Sequence, residues 1–315
     1  MISLLKSSVG TIQSQWRIFF FSVVFLLFIK HLYAQQTGVL QKNGVTLLFD
    51  EPLRPAAEEA IELYPFIKTE LEKTLGWEVS FMPTIILIRD RNTFQNMTGN
   101  DLIVAYALPD KDMMVIDYSR MNTDPFTLEA TVEHELCHLI LHKNIRHENL
   151  PTWLDEGVAQ WVSGGLADII IDQYSVLDDA ILSNRYISLK VLAKGFPDNE
   201  KLLPLAYAES KSLIDYIISE YGPGGVLRLL DYLKDGEEID SAILKSYSIS
   251  FDELEKRWYT WLKKRATFLT FLINNLYEIL FFLAALLLIY GFIRGLIKKK
   301  SYEVEEDNFD TDRNF

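Results

Sequence analysis

Cysteine is almost absent from this chain: Cys137 is the only one among 315 residues. No intramolecular disulfide can staple the fold, so stability has to come from a packed apolar core. Positive charge is also scarce. Lys and Arg number 31 against 44 Asp and Glu, for a net charge of -13, and no basic run stands out between Gln35 and Arg265. A phosphate backbone would be repelled, which argues against nucleic acid as a partner. Linkers rich in Pro, Gly or Ser are missing from residues 35–266, as are internal repeats, so that stretch reads as one domain of two lobes. With 49% hydrophobic and 24% charged residues, the chain is folded for most of its length and long enough for a full core.

Two apolar segments frame this middle region. Ile18 to Ile29 (IFFFSVVFLLFI) is a run of 12 residues preceded by Lys6 and Arg17. It is too short for a span of about 20 residues and suits the apolar core of a signal peptide. Leu32 sits where cleavage prefers a small residue, so residues 1–34 read as a signal peptide or an uncleaved signal anchor. The second segment, 277–297 (YEILFFLAALLLIYGFIRGLI), is uncharged from Ile279 to Ile293 and ends in Arg294, Lys298, Lys299 and Lys300. At about 1.5 Å per residue it approaches the roughly 30 Å hydrocarbon core of a bilayer, with Arg294 able to snorkel. A transmembrane helix is expected there, with a buried C-terminal helix as the alternative. The positive-inside bias puts the lysines in the cytoplasm and residues 35–266 outside it, a single-pass arrangement, or two-pass if the first segment stays. The tail 298–315 begins basic and turns acidic.

The first part of the exported region reads as mixed structure. Gly44–Phe49 is an expected strand, Ser80–Ile88 a strand or a strand pair broken at Pro83, Pro55–Leu75 an amphipathic helix, and Leu102–Leu108 with Met113–Ile116 a hairpin about Pro109–Asp112. Helices follow: one opened by Asp124 and Pro125 and running to about His142, then Pro151–Val162, Ala206–Glu220, Gly225–Lys234 and Phe251–Lys264. Strands followed by helices predict an α+β domain with a small mixed or antiparallel sheet lobe and a helical C-terminal lobe.

Within the Asp124 helix lies His134-Glu135-Leu136-Cys137-His138, an HExxH pattern. Four residues advance a helix by about 400°, so both imidazoles share a face and can converge on one zinc ion, with Glu135 beside the water that the metal activates. With only five histidines in the chain, coincidence is a weak explanation. A catalytic zinc needs a third protein ligand and an open position. The glycine and histidine that metzincins place three and six residues on are Leu141 and Asn144 here, so that class is excluded.

Downstream, Trp153-Leu154-Asp155-Glu156-Gly157-Val158-Ala159 resembles the second-helix motif W-L-x-E-G-x-A of the gluzincins, the peptidase MA-like families and the M1 aminopeptidases. The resemblance implies a zincin-like fold, one zinc ion per chain, and Glu156 as third ligand beside His134 and His138. Seventeen residues, not the 18 of the M1 pattern, separate His138 from Glu156, and the M1 exopeptidase signature is missing, so aminopeptidase specificity does not carry over. Lys143–Leu150 is long enough to turn the chain so that a helix from Pro151 runs back toward the metal. Asp155 is the rival ligand, or a hydrogen-bond acceptor for a ligand histidine. Ala206-Tyr207-Ala208-Glu209-Ser210 resembles the Y-x-x-S helix of the same families and implies Tyr207 as an oxyanion donor, against a core or rim tyrosine. His142 is either a helix-end polar residue or a support for the site, His147 a loop residue or an oxyanion donor, and Cys137 a packing residue. Leu102–Leu108 resembles the gluzincin edge strand, which would make Ala105–Ala107 a cleft wall; an ordinary edge strand fits equally.

The expectation is a membrane-anchored zinc metallopeptidase acting on peptide or protein substrates, with Glu135 as general base and the lipid bilayer as partner of the C-terminal helix. A catalytically silent zinc-holding module and a zinc hydrolase of a non-peptide amide remain as alternatives.

Overall fold

The computed structural model describes residues 37–123, 125–165, 173–197, 199, 201–274, 276–277 and 280–294. The expected signal segment 1–34, Asp124 and the tail after Arg294 lie outside them. The chain divides into two compact units at Trp258 and Tyr259.

The first unit begins with a hairpin. Strand β1 (Thr37–Lys42) pairs antiparallel with β2 (Val45–Asp50), Lys42 facing Val45. The turn between them is Asn43-Gly44, both at positive φ (56° and 81°), the backbone that a two-residue hairpin turn demands. Along β2, Val45, Leu47 and Phe49 alternate inward. Helix α1 (Arg54–Leu75) follows, with Gly76 in the left-handed conformation (φ 73°) closing it through a bond to the Glu72 carbonyl. It buries Ala57, Ala60, Ile61, Tyr64, Ile67 and Leu71, residues spaced to share one face. Strand β3 (Thr84–Ile88) lies parallel to β2 on one side and to β5 (Met113–Asp117) on the other. Strand β4 (Ala105–Leu108) pairs antiparallel with β5, giving the sheet order β1-β2-β3-β5-β4. The sheet is thus mixed, parallel in its centre and antiparallel at both edges.

Helix α2 (Arg91–Thr98), capped by the Asp90 carboxylate accepting from Thr93 N, sets Phe94 against Ile86, Ile88 and Val115. Strand alternation puts Ile85, Leu87, Met114 and Ile116, all buried, on the opposite face. The strand expected from Leu102 is shorter than its sequence suggests. Residues 101–104 are held in irregular backbone: Arg91 donates to the carbonyls of Asp101 and Ile103 and to the Asp117 carboxylate, while Asn100 Oδ1 accepts from Leu102 N.

Helix α3 (Leu128–Asn144) starts three residues later than the expected first helical residue Pro125, because the Thr127 side chain takes the Ala130 N–H and so sets the cap. It is buried on nearly every side from Leu128 to Leu141, as a helix at the centre of a domain must be. Helix α4 (Thr152–Val162) packs beside it, followed by α5 (Gln173–Ser183), α6 (Leu189–Leu192), α7 (Leu203–Tyr221), α8 (Pro223–Lys234), α9 (Ile239–Tyr247) and α10 (Phe251–Asn274). Gly157 of α4 is where α7 comes closest: a Cβ there would meet the Ser210 carbonyl oxygen at 2.7 Å and Ile214 Cγ1 at 2.6 Å. Buried Trp258 donates to Ser212 Oγ (3.1 Å) and fastens the start of α10 to α7. The expected α+β class holds, mostly helical with a small five-stranded sheet; β1, α2, α5, α6 and α9 were not anticipated.

In the second unit, residues 280–294 are helical, and Phe281, Leu287, Leu288 and Phe292 each expose more than half of their surface. Among the described residues no helix is long and apolar enough to cross a membrane, so the span expected over 277–297 is not seen as such.

Candidate functional site

Two consecutive turns of α3 project His134 and His138 the same way, as the four-residue spacing requires. Their Nε2 atoms face each other at 3.2 Å, with the rings edge-on. The turn 145–151 reverses the chain, and α4 brings Glu156 to the same point: its Oε2 lies 3.8 Å from His134 Nε2 and 3.7 Å from His138 Nε2. Three ligands on a tetrahedron with zinc bonds of about 2.0–2.1 Å would sit about 3.3 Å apart. Two imidazole nitrogens and one carboxylate oxygen within 4.8 Å of one another therefore fit such an ion in both donor type and spacing.

The far nitrogens of the histidines are also held. His138 Nδ1 meets Asp155 Oδ1 at 2.7 Å, and the other oxygen of that carboxylate meets His142 Nε2 at 2.8 Å. His134 Nδ1 lies 3.4 Å from Ser163 Oγ, whose hydroxyl donates to the Ala159 carbonyl at 2.8 Å. With each Nδ1 turned to an oxygen, both Nε2 lone pairs are directed to the shared point. Burial opposes charge on His138, but Asp155 and Glu156 outweigh it and raise the imidazole well above the ordinary histidine range. Burial likewise opposes charge on Asp155, yet His138 and His142 hold its carboxyl far below the usual carboxylate range.

His138, His142, Asp155 and Glu156 line an open cleft of about 760 Å³, with His134 fully buried behind them. Glu135, itself only 1% exposed, lines it together with His138, Asp155 and Glu156. It is also lined by Tyr106 and Ala107 of edge strand β4, by Pro109 and Asp110 of the hairpin turn, and by His142, Lys143, Arg146 and His147 from the end of α3 and its turn. The phenol of Tyr106 is pushed up to about 12, first by burial and then by the charge of Glu135.

A family model described as the Peptidase MA superfamily matches residues 95–264, more than half of the chain. The chain belongs to this superfamily. No curated protein matches it. Among solved structures it is similar to an M1 zinc metallopeptidase from Deinococcus radiodurans (14% identity, TM-score 0.43, covering 72% of this chain and 51% of that one). It is also similar to leukotriene A4 hydrolase from Saccharomyces cerevisiae (12% identity, TM-score 0.45, covering 72% and 38%). The chain spans about half or less of the length of these proteins.

In this peptidase MA member the residues singled out from sequence fall as follows. His134, His138 and Glu156 converge, and Glu135 faces the same cleft. Asp155 turns its two oxygens to His138 Nδ1 and His142 Nε2, the placement of a hydrogen-bond acceptor. Cys137 is fully buried, its thiol pushed up by burial and by surrounding carboxylates, which suits packing and not nucleophilic chemistry. Tyr207 is buried in α7, its ring edge-on to Phe196 and packed with Leu102, Ile103 and Leu203. Its carbonyl accepts from Gln160 Nε2, one helical turn beyond Glu156. His147 stacks on His142, ring centroids 5.6 Å apart. Ser163 was missed from sequence; its one signal is its position seven residues, two turns, beyond Glu156.

Proposed function

We propose that this chain is a membrane-anchored zinc peptidase in which His134, His138 and Glu156 hold one zinc ion. The observation that carries the reading is the convergence of those three side chains beside Glu135 in an open cleft, within a chain of the peptidase MA superfamily. Zinc bound there would supply a Lewis acid for the scissile carbonyl and lower the pKa of a water toward about 7.

The chain's own groups do the rest. Glu135 takes the proton from the attacking water and returns it to the leaving amine, the work of a positioned general base. Asp155 and Ser163 fix the two imidazole rings, so the site is built before substrate arrives. The resemblance to the Y-x-x-S helix assigns Tyr207 as donor to the developing oxyanion, although its ring packs on Phe196 and it is not among the residues lining the cleft. The unpaired side of edge strand β4 offers backbone to an extended peptide. Burial of Glu135 keeps bulk water from competing for its proton.

Anchoring is supported by the apolar segment 277–297, by the lysines after it and by the exposed apolar side chains of residues 280–294. In this arrangement residues 35–266 lie outside the cytoplasm and the tail 298–315 inside. Protease added to intact cells then removes the domain that contains His134 and spares the tail, and loss of the tail alone refutes the orientation. Replacement of Glu135 by Gln keeps the size of the side chain and removes the base. Zinc content stays near one per chain while turnover of a peptide library falls at least about 100-fold. In the same assay Tyr207→Phe spares zinc and costs about 10-fold. A wild-type protein that holds zinc and cleaves no peptide favours a silent zinc-holding module or hydrolysis of a non-peptide amide, and unchanged activity in Glu135→Gln rejects the mechanism.

A further inference from the structure

The wall of the cleft formed by the end of α3 is rich in groups that can carry positive charge, in a chain whose net charge is -13. Most of them are engaged. His142 Nε2 is on Asp155. Lys143 pairs with Asp112 at 2.8 Å and lies over the ring of Phe81. His147 stacks on His142. Arg146 differs: it lines the cleft and is exposed, and among the described residues its guanidinium has no ion-pair partner.

Its mount is nevertheless fixed. The Arg146 carbonyl accepts from Asn149 N (2.9 Å) and Leu150 N (3.2 Å), and on either side Ile145 and Leu150 are buried. A guanidinium on an anchored turn loses less freedom on binding than one on a loose loop, and its planar fork suits a carboxylate. Asp110 also lines the cleft and would repel a second acid beside it. The pairing is therefore position-specific and not a general attraction for acidic peptides.

We infer that Arg146 is a specificity-determining residue of the cleft, taking a carboxylate of the peptide substrate. The inference rests on the peptidase reading above and narrows its substrate class. Arg146 lies eight residues beyond His138, roughly 10 Å along the end of the helix and into its turn. An extended peptide covers about 3.3 Å per residue, which sets the carboxylate about three residues from the scissile bond. An Asp or Glu side chain and the free C-terminus of a short peptide offer the same chemistry.

The test separates binding from turnover. Full-length, zinc-loaded Glu135→Gln protein is titrated with fluorescent peptides that carry Asp or Asn at each of four positions on either side of a fixed central bond. Matched peptides with free or amidated C-termini form a second arm. Expected is an Asp-over-Asn preference of about 5- to 10-fold, centred about three residues from the bond and falling with added salt. If the terminal carboxylate is the ligand, the preference appears in the free-over-amidated pair instead. Adding Arg146→Ala collapses the ratio to about 1, and Arg146→Glu inverts it in favour of Lys at the same position. Equal affinity for every pair, or a preference that survives Arg146→Ala, overturns the inference. A preference of the expected size in a protein whose wild-type form cleaves none of these peptides leaves the inference standing and refutes the peptidase reading instead.

Discussion

Replacing Gly157 by Ala tests whether the close approach of α4 and α7 sets the metal centre. On an isolated helix the change would stabilise by about 1 kcal/mol, the difference in helix propensity between the two residues. Here the new Cβ would lie 2.7 Å from the Ser210 carbonyl oxygen and 2.6 Å from Ile214 Cγ1, where ordinary contacts begin near 3.4 Å. Ile214 is a side chain and can turn. The Ser210 carbonyl is backbone, and clearing it requires the two helices to separate by several tenths of an ångström. Overpacking of this kind costs about 1–3 kcal/mol, so against that gain the net expectation is a loss of up to about 2 kcal/mol. In a domain of this size that lowers Tm by up to roughly 8 °C. Glu156 is the preceding residue, so the same shift alters its 3.7 and 3.8 Å approaches to the imidazoles, and zinc affinity drops by about 10-fold or more. Calorimetry with a competitive zinc titration measures both. Gly224→Ala serves as control, since a Cβ there meets nothing nearer than Arg228 Nη1 at 3.8 Å, and it should be neutral or mildly stabilising. A Gly157→Ala protein at least as stable as wild type, with unchanged zinc affinity, would refute the reasoning.

Two further outcomes follow from the described geometry. Glu209 of α7 is fully buried, accepts from Ile187 N with both oxygens at 3.2 Å, and is pushed up to about 8 by burial, which outweighs that bond. Its folded-state pKa lies above the unfolded value of 4.5, so the folded chain holds the proton more tightly. Stability from this group is full below about pH 4.5 and drains away as pH rises toward 8, by an amount on the order of a few kcal/mol. Glu209→Gln keeps the acceptor and should remove that decline in urea midpoints between pH 5 and 9; parallel curves for the two proteins would reject the assignment. At the metal centre, Glu156→Ala should abolish tight zinc retention, whereas Asp155→Ala should weaken it by about 10- to 100-fold without abolishing it. A complete loss in Asp155→Ala alone would make Asp155 the ligand.

The parts of the site legible in the sequence are those whose geometry one helix determines. His134, Glu135 and His138 follow from the period of α3, and Asp155 with Glu156 from their adjacency on α4. The bond between His142 and Asp155 crosses a turn between two helices, and no periodicity links residues 13 apart. Ser163 and the packing of Tyr207 against Phe196 depend in the same way on how helices meet. In the fold, β2, β3, β5, α1 and the long helices were readable because burial imposes their patterns. Strand β1 was not, although Asn43-Gly44 advertises its turn, because only Gly38 of its residues is buried and they lack alternation. Helix α2 is short and polar, with Phe94 its only buried residue, so its caps are its main mark. The extent of β4 was overestimated because the guanidinium of Arg91 claims the backbone oxygens before it, and only the folded chain brings Arg91 there.

The Asp155 carboxylate, shared between His138 and His142, also ties the last turn of α3 to the first turn of α4. Helix ends ordinarily fray, and their amides exchange with solvent through local openings that cost little free energy. Here, opening the last turn of α3 pulls His142 from its acceptor and loosens the oxygen that orients His138. If the proposed ion is bound, amide exchange at the end of α3 and the dissociation rate of that ion become two readings of one local opening, although His142 lies outside the convergent set of His134, His138 and Glu156.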